Sequence, residues 1–192
     1  MNIKGKKIGF ALTGSFCTID NVLIELERLV FLGAEVIPIL SNGVAVINSR
    51  FGRAEDNRRR VELITGKPCI ETIAEAEPIG PKKTLDLLII APCTGNTLGK
   101  IANGITDTSV TMAAKAQLRN QLPVVIAIST NDGLSGNAKN LGVLLNTKNV
   151  YFVPFGQDDS EKKPTSLVAR FGLIVPAVEL ALEGKQIQPL LV

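Results

Sequence analysis

Small polar residues and glycines follow four aliphatic runs of this sequence, and they are the side chains best suited to chemistry. Hydroxyls, side-chain amides and backbone N–H groups at helix N-termini bind phosphate well without needing lysine. Each loop alone is weak evidence, because such residues are common in turns. Four of them at successive strand ends predict a site for a flat, anionic, hydrogen-bonding ligand. The loops are Thr13 to Ser15, Ser41 to Gly43, Pro92 to Thr97 and Ser129 to Asn137.

The residue types that are absent or scarce exclude several mechanisms. The chain has no histidine, so no imidazole can act as a base, orient a nucleophile or bind a metal. Three widely spaced cysteines form no Cys-x-x-Cys pair, which argues against a disulfide framework or a zinc site and favours a reducing cytoplasm. Cys17 and Cys93 lie near the polar loops and could be redox-active, although small buried thiols are the commoner case. No general base can be named: Asp107 and Asp132 are both candidates, and Asp107 could instead cap a helix.

The composition predicts a packed α/β protein without a nucleic-acid or membrane partner. Hydrophobic residues make up 45% of 192 residues, but aromatics only 4%, so the core must consist of aliphatic side chains, as in parallel sheets buried on both faces. A net charge of +3 is too small to indicate nucleic-acid binding. No apolar run reaches the roughly 18 residues of a membrane span, and the basic N-terminus leads into a strand rather than a signal peptide. One dense basic cluster indicates either a solvated helix face, or an anion-attracting rim or subunit contact. It comprises Arg50, Arg53, Arg58, Arg59 and Arg60.

Predicted strands and helices alternate along the chain. The alternation predicts an α/β, Rossmann-like, doubly wound parallel sheet of about five strands in a three-layer α/β/α arrangement, formed by a single domain over residues 1–192. In such sheets ligands bind beyond the carboxyl ends of the strands, where the four polar loops lie. The predicted strands span 7–13, 35–40, 85–91, 123–128 and 149–154; a charged loop covers 157–163, and a last helix, capped by Thr165, runs to about Glu183.

Two common phosphate-binding motifs are missing. The P-loop pattern fails because Gly14 is followed by Ser15 and Phe16. The dinucleotide pattern Gly-x-Gly-x-x-Gly fails because Gly9 and Gly14 have the wrong spacing, and no acidic residue closes the second strand. An ordinary dinucleotide site is therefore disfavoured, and a mononucleotide remains.

The polar loops resemble those of a known family. Gly14-Ser15, Ser41 and the stretch from Ala91 to Thr97, followed by Lys100 to Asp107, are similar to the flavoprotein family of homo-oligomeric flavin-containing cysteine decarboxylases, over most of residues 5–150. The resemblance implies FMN, a Rossmann-like fold and assembly into trimers or multiples of trimers. It implies that Ser15 and Ser41 contact the FMN phosphate, with Thr94 and Asn96 near the phosphate and the flavin. The full set of implied cofactor-binding residues is Gly14, Ser15, Phe16, Ser41, Pro92, Cys93, Thr94, Gly95, Asn96, Thr97, Ser129 and Asn131.

The chain departs from this family in two places. The decarboxylases use an active-site histidine, which is missing here, and a Pro-x-Met-Asn motif, which is replaced by Ser129 to Asp132 with only Asn131 as a possible match. A conventional cysteine decarboxylase is therefore disfavoured. The opening segment from Lys4 to Thr18 and the segment from Pro154 to Asp159 look most like one branch of the family.

That branch implies a partner subunit similar to NAD(P)-binding proteins, so that NAD(P) belongs to the partner alone. It also implies oxidation of a dihydropyridine dicarboxylate to the aromatic dicarboxylate in the mother cell of spore-forming bacteria, with flavin as hydride acceptor. Arg50, Arg53 and Lys139 are candidates to meet the small dicarboxylate substrate, or they are ordinary surface charges. Two alternatives remain: a non-catalytic scaffold that holds FMN or phosphate, and an FMN-dependent decarboxylase or prenyltransferase.

Overall fold

A parallel five-stranded sheet forms the centre of the computed structural model, which describes residues 3–192. Its strands lie in the order β2-β1-β3-β4-β5. Every residue of the middle strand, β3, is buried, because helices cover both faces of the sheet. The strands are β1 (Lys7–Leu12), β2 (Glu35–Leu40), β3 (Leu87–Cys93), β4 (Val124–Thr130) and β5 (Val150–Phe152).

Nine helices are described between and after these strands. α1 contacts α3 and α9, whereas α7 contacts α4, α5 and α6, and α6 contacts α8; these two groups are the outer layers. The helices are α1 (Ile19–Phe31), α2 (Asn42–Val46), α3 (Ala54–Thr65), α4 (Ile73–Ala76), α5 (Ile79–Lys82), α6 (Gly95–Ala102), α7 (Ser109–Arg119), α8 (Ala138–Leu145) and α9 (Ile174–Leu182).

Local sequence signals explain where the helices begin and end. In α1, Val22, Leu26 and Leu29 share one buried face, as their helical spacing predicts. The chain leaves α1 through Gly33, whose φ of +86° is the left-handed conformation that favours glycine at a helix C-terminus. Thr108 and Thr111 form a reciprocal capping box at the start of α7, so Asp107 is not the cap.

A hairpin replaces the charged loop and the early helix that the sequence predicts after residue 156. β6 (Phe155–Asp159) and β7 (Lys163–Ala169) pair antiparallel, and Val168 and Leu167 pair with the carboxyl end of β4. The predicted loop over 157–163 and the helix start at Thr165 are therefore wrong. The α/β prediction is confirmed, but the complete sheet has seven strands and is mixed.

The described part of the chain has no helix that is both long and apolar enough to cross a membrane.

The packing of β3 makes a direct stability prediction. Ile89 is fully buried in the middle of the sheet, whereas Leu63 on α3 is 83% exposed. We expect Ile89→Ala to lower the free energy of unfolding by about 2–5 kcal/mol, because it removes buried methylene groups and leaves a cavity. Leu63→Ala should change the free energy of unfolding by no more than about 0.5 kcal/mol. Urea denaturation of both variants checks this, and equal midpoints would contradict the burial of β3.

Candidate functional site

A buried hydroxyl joins the loops that follow β1 and β3. The Thr13 Oγ1 donates to the Pro92 carbonyl at 2.7 Å and accepts from the Thr94 N–H at 2.9 Å. Thr94 is the N-cap of α6, and its hydroxyl accepts from the Thr97 N–H. The end of β1 therefore fixes the position at which α6 begins.

A second pair of hydroxyls joins the loop after β1 to the end of β4. The Ser15 and Ser129 Oγ atoms are 2.8 Å apart, and the Thr18 hydroxyl donates to Ser15 Oγ at 3.1 Å. Three of the four predicted loops thus meet at one edge of the sheet, as parallel strands require.

Two adjoining clefts open at this edge. The larger has a volume of about 670 Å³ and the smaller about 520 Å³. Four residues line both clefts: Gly14, Phe16, Thr94 and Asn96. Of the other residues expected from the sequence, Ser15, Gly95, Ser129 and Asn131 line the larger cleft, and Ser41 and Thr97 line the smaller one.

Pro92 and Cys93 line neither cleft. Pro92 is buried and presents its carbonyl to Thr13. Cys93 is buried in the core, and burial raises the pKa of its thiol to about 12. These two residues position the loop that carries Thr94, and Cys93 is not a reactive thiol.

Hydrogen-bond donors without protein acceptors surround the smaller cleft. The Ser41 hydroxyl makes no hydrogen bond within residues 3–192, although the residue is only 8% exposed. The backbone N–H group of Asn96, in the first turn of α6, likewise meets no acceptor in the described chain. Lys100 also lines this cleft and bonds Asp107 at 2.8 Å. The free donors and the helix N-terminus suit an anion, while Asp107, which lines the same cleft, offsets the charge of Lys100.

The larger cleft contains a firmly held carboxylate. Asp132 Oδ1 accepts from the Thr130 hydroxyl, and Asp132 Oδ2 accepts from Asn137 Nδ2 at 2.8 Å. Asn140 donates to Asn137 at 2.8 Å, and Asn103 donates to Asn140 at 3.1 Å. This chain of side chains, the Asp132 network, connects the cleft to α8 and to the end of α6.

Glycines on α6 make room for the Asp132 network. A Cβ on Gly95 would lie 2.5 Å from Thr130 Oγ1 and 2.6 Å from Asp132 Oδ1. A Cβ on Gly99, one turn further along, would lie 3.2 Å from Asn140 Nδ2. The backbone of α6 therefore packs directly against polar side chains, which a larger residue at position 95 would displace.

The sequence did not indicate the wall that the hairpin adds to the larger cleft. Asp158, Lys163 and Ser166 to Val168 line this cleft, as does Phe51 from the loop before α3. Lys163 Nζ lies 2.6 Å from Asp158, and this hydrogen bond raises the pKa of Lys163. The only available signal was the apolar run Leu167 to Ala169, which fits a helix as well as a strand.

The predicted cations lie mostly outside the clefts. Arg53 and Lys139 line neither cleft, and Arg50 stacks on the Phe51 ring with its guanidinium carbon 4.8 Å from the centroid. The remaining arginines of the basic cluster form ion pairs on and around α3: Arg58 with Glu71, Arg59 with Glu55 and Arg60 with Asp20. Those three behave as a solvated helix face.

The fold and the position of the clefts are typical of α/β proteins that bind nucleotides. The model of the Flavoprotein family matches residues 1–165, and the chain belongs to this family. A relative, the B subunit of dipicolinate synthase from Bacillus subtilis (strain 168), is 50% identical over 191 residues, which cover 100% of this chain and 96% of the relative. These findings confirm the family predicted from the sequence and identify the branch that it resembles.

Solved structures confirm the Rossmann-like fold. The B subunit of dipicolinate synthase from Bacillus halodurans superposes with a TM-score of 0.92 at 48% identity, covering 100% of this chain and 98% of that one. Burkholderia xenovorans DmrB, solved in complex with FMN and described as a cubic protein cage for redox transfer, has a TM-score of 0.62 at 18% identity, covering 80% of this chain and 89% of its own. At that identity the second likeness concerns the fold alone.

The contact between Gly95 and the Asp132 network can be tested by adding one methyl group. Gly95→Ala should lower the free energy of unfolding by about 1–3 kcal/mol, because the methyl group overpacks a site already filled by three polar side chains. Gly142→Ala in the exposed part of α8 is a matched control, since its Cβ would meet nothing within 4 Å. It should leave stability unchanged or raise it by up to about 1 kcal/mol. A Gly95→Ala variant as stable as the wild type would contradict this packing.

The three thiols should differ sharply in reactivity. Cys17 is exposed, whereas burial raises the pKa values of Cys69 and Cys93 to about 12, so little thiolate is present in either at neutral pH. We expect a maleimide at pH 7 to label Cys17 quickly, and to label Cys69 and Cys93 only after denaturation. Cys17→Ser should abolish the fast phase. A fast phase that survives in this variant would show that Cys69 or Cys93 is accessible.

Proposed function

We propose that this chain binds FMN across the two adjoining clefts and serves as the B subunit of a dipicolinate synthase. The observation that carries the FMN proposal is the Ser41 hydroxyl, which is almost buried, faces the smaller cleft and has no partner in the described chain. Because this hydroxyl is open to the cleft and makes no hydrogen bond to the protein, it is available to donate to a ligand there.

The two clefts suit the two ends of a flavin mononucleotide. The smaller cleft offers the Ser41 hydroxyl and the free N–H group of Asn96 to a phosphate. The larger cleft combines apolar walls with polar groups on its rim, as a flat heteroaromatic ring requires. Its apolar walls are Phe16, Phe51, Leu167 and Val168, and its polar groups are Ser129, Asn131 and Asp132.

The proposed reaction is oxidation of dihydrodipicolinate, or a close precursor, to dipicolinate. When bound, FMN would supply a two-electron acceptor. Lys163 is the one basic side chain among the residues lining the larger cleft, and it suits a carboxylate of the dianionic substrate. Because the B. subtilis relative is named as one subunit of a synthase, a partner A subunit is part of the proposal, and NAD(P) would belong to that partner. The setting would be the mother-cell cytoplasm during sporulation.

Self-assembly into trimers or multiples of trimers is part of the proposal. The resemblance to homo-oligomeric flavoproteins supports it, as does the cage described for the B. xenovorans structure. Sedimentation of the purified chain distinguishes these assemblies from a monomer.

Two other functions deserve comparison. A decarboxylase or prenyltransferase of the usual family type is disfavoured, because the chain has no histidine and lacks the methionine of the Pro-x-Met-Asn motif before Asn131. A scaffold subunit that holds FMN while the A subunit performs the redox step predicts the same binding but no reduction of the flavin by substrate.

Titration with FMN tests the cofactor site. The wild-type chain should bind FMN and quench its fluorescence, and Ser41→Ala should weaken binding about 10–100-fold, because it removes a hydrogen bond to a charged phosphate worth about 1.5–3 kcal/mol. Ser160→Ala, in the exposed turn of the hairpin, is the matched control and should bind like the wild type. Absence of binding by the wild type would overturn the proposal.

Anaerobic mixing of the FMN-loaded chain with dihydrodipicolinate separates enzyme from scaffold, before and after addition of the A subunit. If this chain is the enzyme, substrate should reduce its bound flavin and the flavin absorbance should bleach. Persistent absorbance in both mixtures would leave only the scaffold function.

A further inference from the structure

Asp132 differs from the other titratable groups that line the larger cleft. The other groups are Cys17, Asp158 and Lys163. Asp158 and Lys163 form an ion pair, and Cys17 is an exposed thiol. Asp132 has no cationic partner in the described chain; both of its carboxylate oxygens instead accept from neutral donors.

The surrounding structure fixes the direction of this carboxylate. The backbone N–H groups of Asn137 and Ser135 donate to the Asp132 carbonyl at 3.0 and 3.1 Å, which holds the main chain. Thr130 and Asn137 each hold one carboxylate oxygen, and Gly95 lies beneath. Since each carboxylate oxygen accepts one hydrogen bond from the protein, lone pairs remain available to a ligand in the cleft.

The amides of the Asp132 network can orient the carboxylate but cannot carry a proton away from it into α8 or α6. Its members beyond Asp132 are a hydroxyl that donates to the carboxylate and the amides of Asn137, Asn140 and Asn103. Amide side chains neither gain nor lose protons at neutral pH. A proton taken up by Asp132 therefore stays on the carboxyl until it leaves through the open cleft.

We propose that Asp132 is the general base of the reaction proposed above, on which this inference rests. Aromatising a dihydropyridine breaks two bonds to hydrogen. One hydrogen leaves with its electron pair to the flavin as oxidant. The other leaves as a proton to the Asp132 carboxylate, and the electrons of its bond complete the aromatic ring. A carboxylate within reach of the substrate can accept that proton as a general base.

The second carboxylate considered from the sequence, Asp107, is less suited to this role. It lines the smaller cleft, where the phosphate is proposed to bind, and it is paired with Lys100 at 2.8 Å. The assignment to Asp132 thus places the acid–base group and the proposed phosphate site in different clefts.

Single-turnover reduction of the bound flavin by dihydrodipicolinate tests the assignment. Asp132→Asn keeps the size of the side chain but removes the base, and we expect flavin reduction to slow about 10²–10⁴-fold. FMN and the product dicarboxylate should still bind with dissociation constants close to those of the wild type. Asp56→Asn, on exposed α3, is the matched control and should reduce flavin at the wild-type rate.

Chemical rescue distinguishes a base from a structural residue. In Asp132→Ala, acetate or formate added to the buffer should restore part of the rate in proportion to its concentration. A structural role predicts no rescue and a loss of FMN binding in all substitutions at position 132.

The outcomes separate the two levels of the proposal. The assignment of Asp132 is overturned, while the proposed function stands, if the flavin bound to Asp132→Asn is reduced as fast as the flavin bound to the wild type. The same holds if acetate restores no flavin-reduction rate in Asp132→Ala. If the wild-type flavin is bound but not reduced, the oxidation itself is overturned, and the assignment of Asp132 falls with it.

Discussion

The hydroxyl of Thr13 is the interaction on which the site depends. It is buried, it donates to the Pro92 carbonyl at 2.7 Å, and it accepts from the Thr94 N–H at 2.9 Å. Each such bond contributes only about 0.5–1.5 kcal/mol net, but loss of the hydroxyl would leave the Thr94 N–H without its acceptor and cost more, whereas the Pro92 carbonyl would still accept from the Thr13 N–H. Because Thr94 caps α6, one side chain at the end of β1 sets both the start of that helix and the direction of its free N–H groups.

The meeting of the polar loops could be predicted from the sequence, because parallel strands bring their carboxyl ends to one edge. The aliphatic runs around Ile89 and Ile126 predict buried strands, and each run is followed by hydroxyl-bearing residues and glycine. The hairpin of β6 and β7 could not be predicted in the same way. Its residues Leu167 and Val168 pair with β6 within the hairpin and also with Thr130 and Ser129, more than thirty residues earlier. The second pairing is non-local and leaves no mark on local periodicity.

The division of the site into two clefts could not be predicted from the sequence either. Ser15 and Ser41 were expected to contact one phosphate, yet they line different clefts, with Phe16 shared by both. Ser15 already bonds Ser129 and Thr18, whereas the Ser41 hydroxyl is free. A pattern of residue types gives the donors that a loop carries, but only the packed structure determines which donors remain unused, and unused donors are what a ligand can bind.

Hydrogen bonds between amide side chains join α6 to α8 and reach the Asp132 carboxylate, so packing and chemistry are linked there. Asn137 is buried, and burying an amide is unfavourable unless it finds a partner; Asn137 bonds Asp132 and Asn140, and the exposed Asn103 bonds Asn140. An apolar residue in place of Asn137, the N-cap of α8, would leave Asp132 Oδ2 without its donor. The amides are thus better explained as supports that orient a carboxylate than as a contribution to stability, since a fully bonded polar network stabilises little more than well-packed aliphatic side chains.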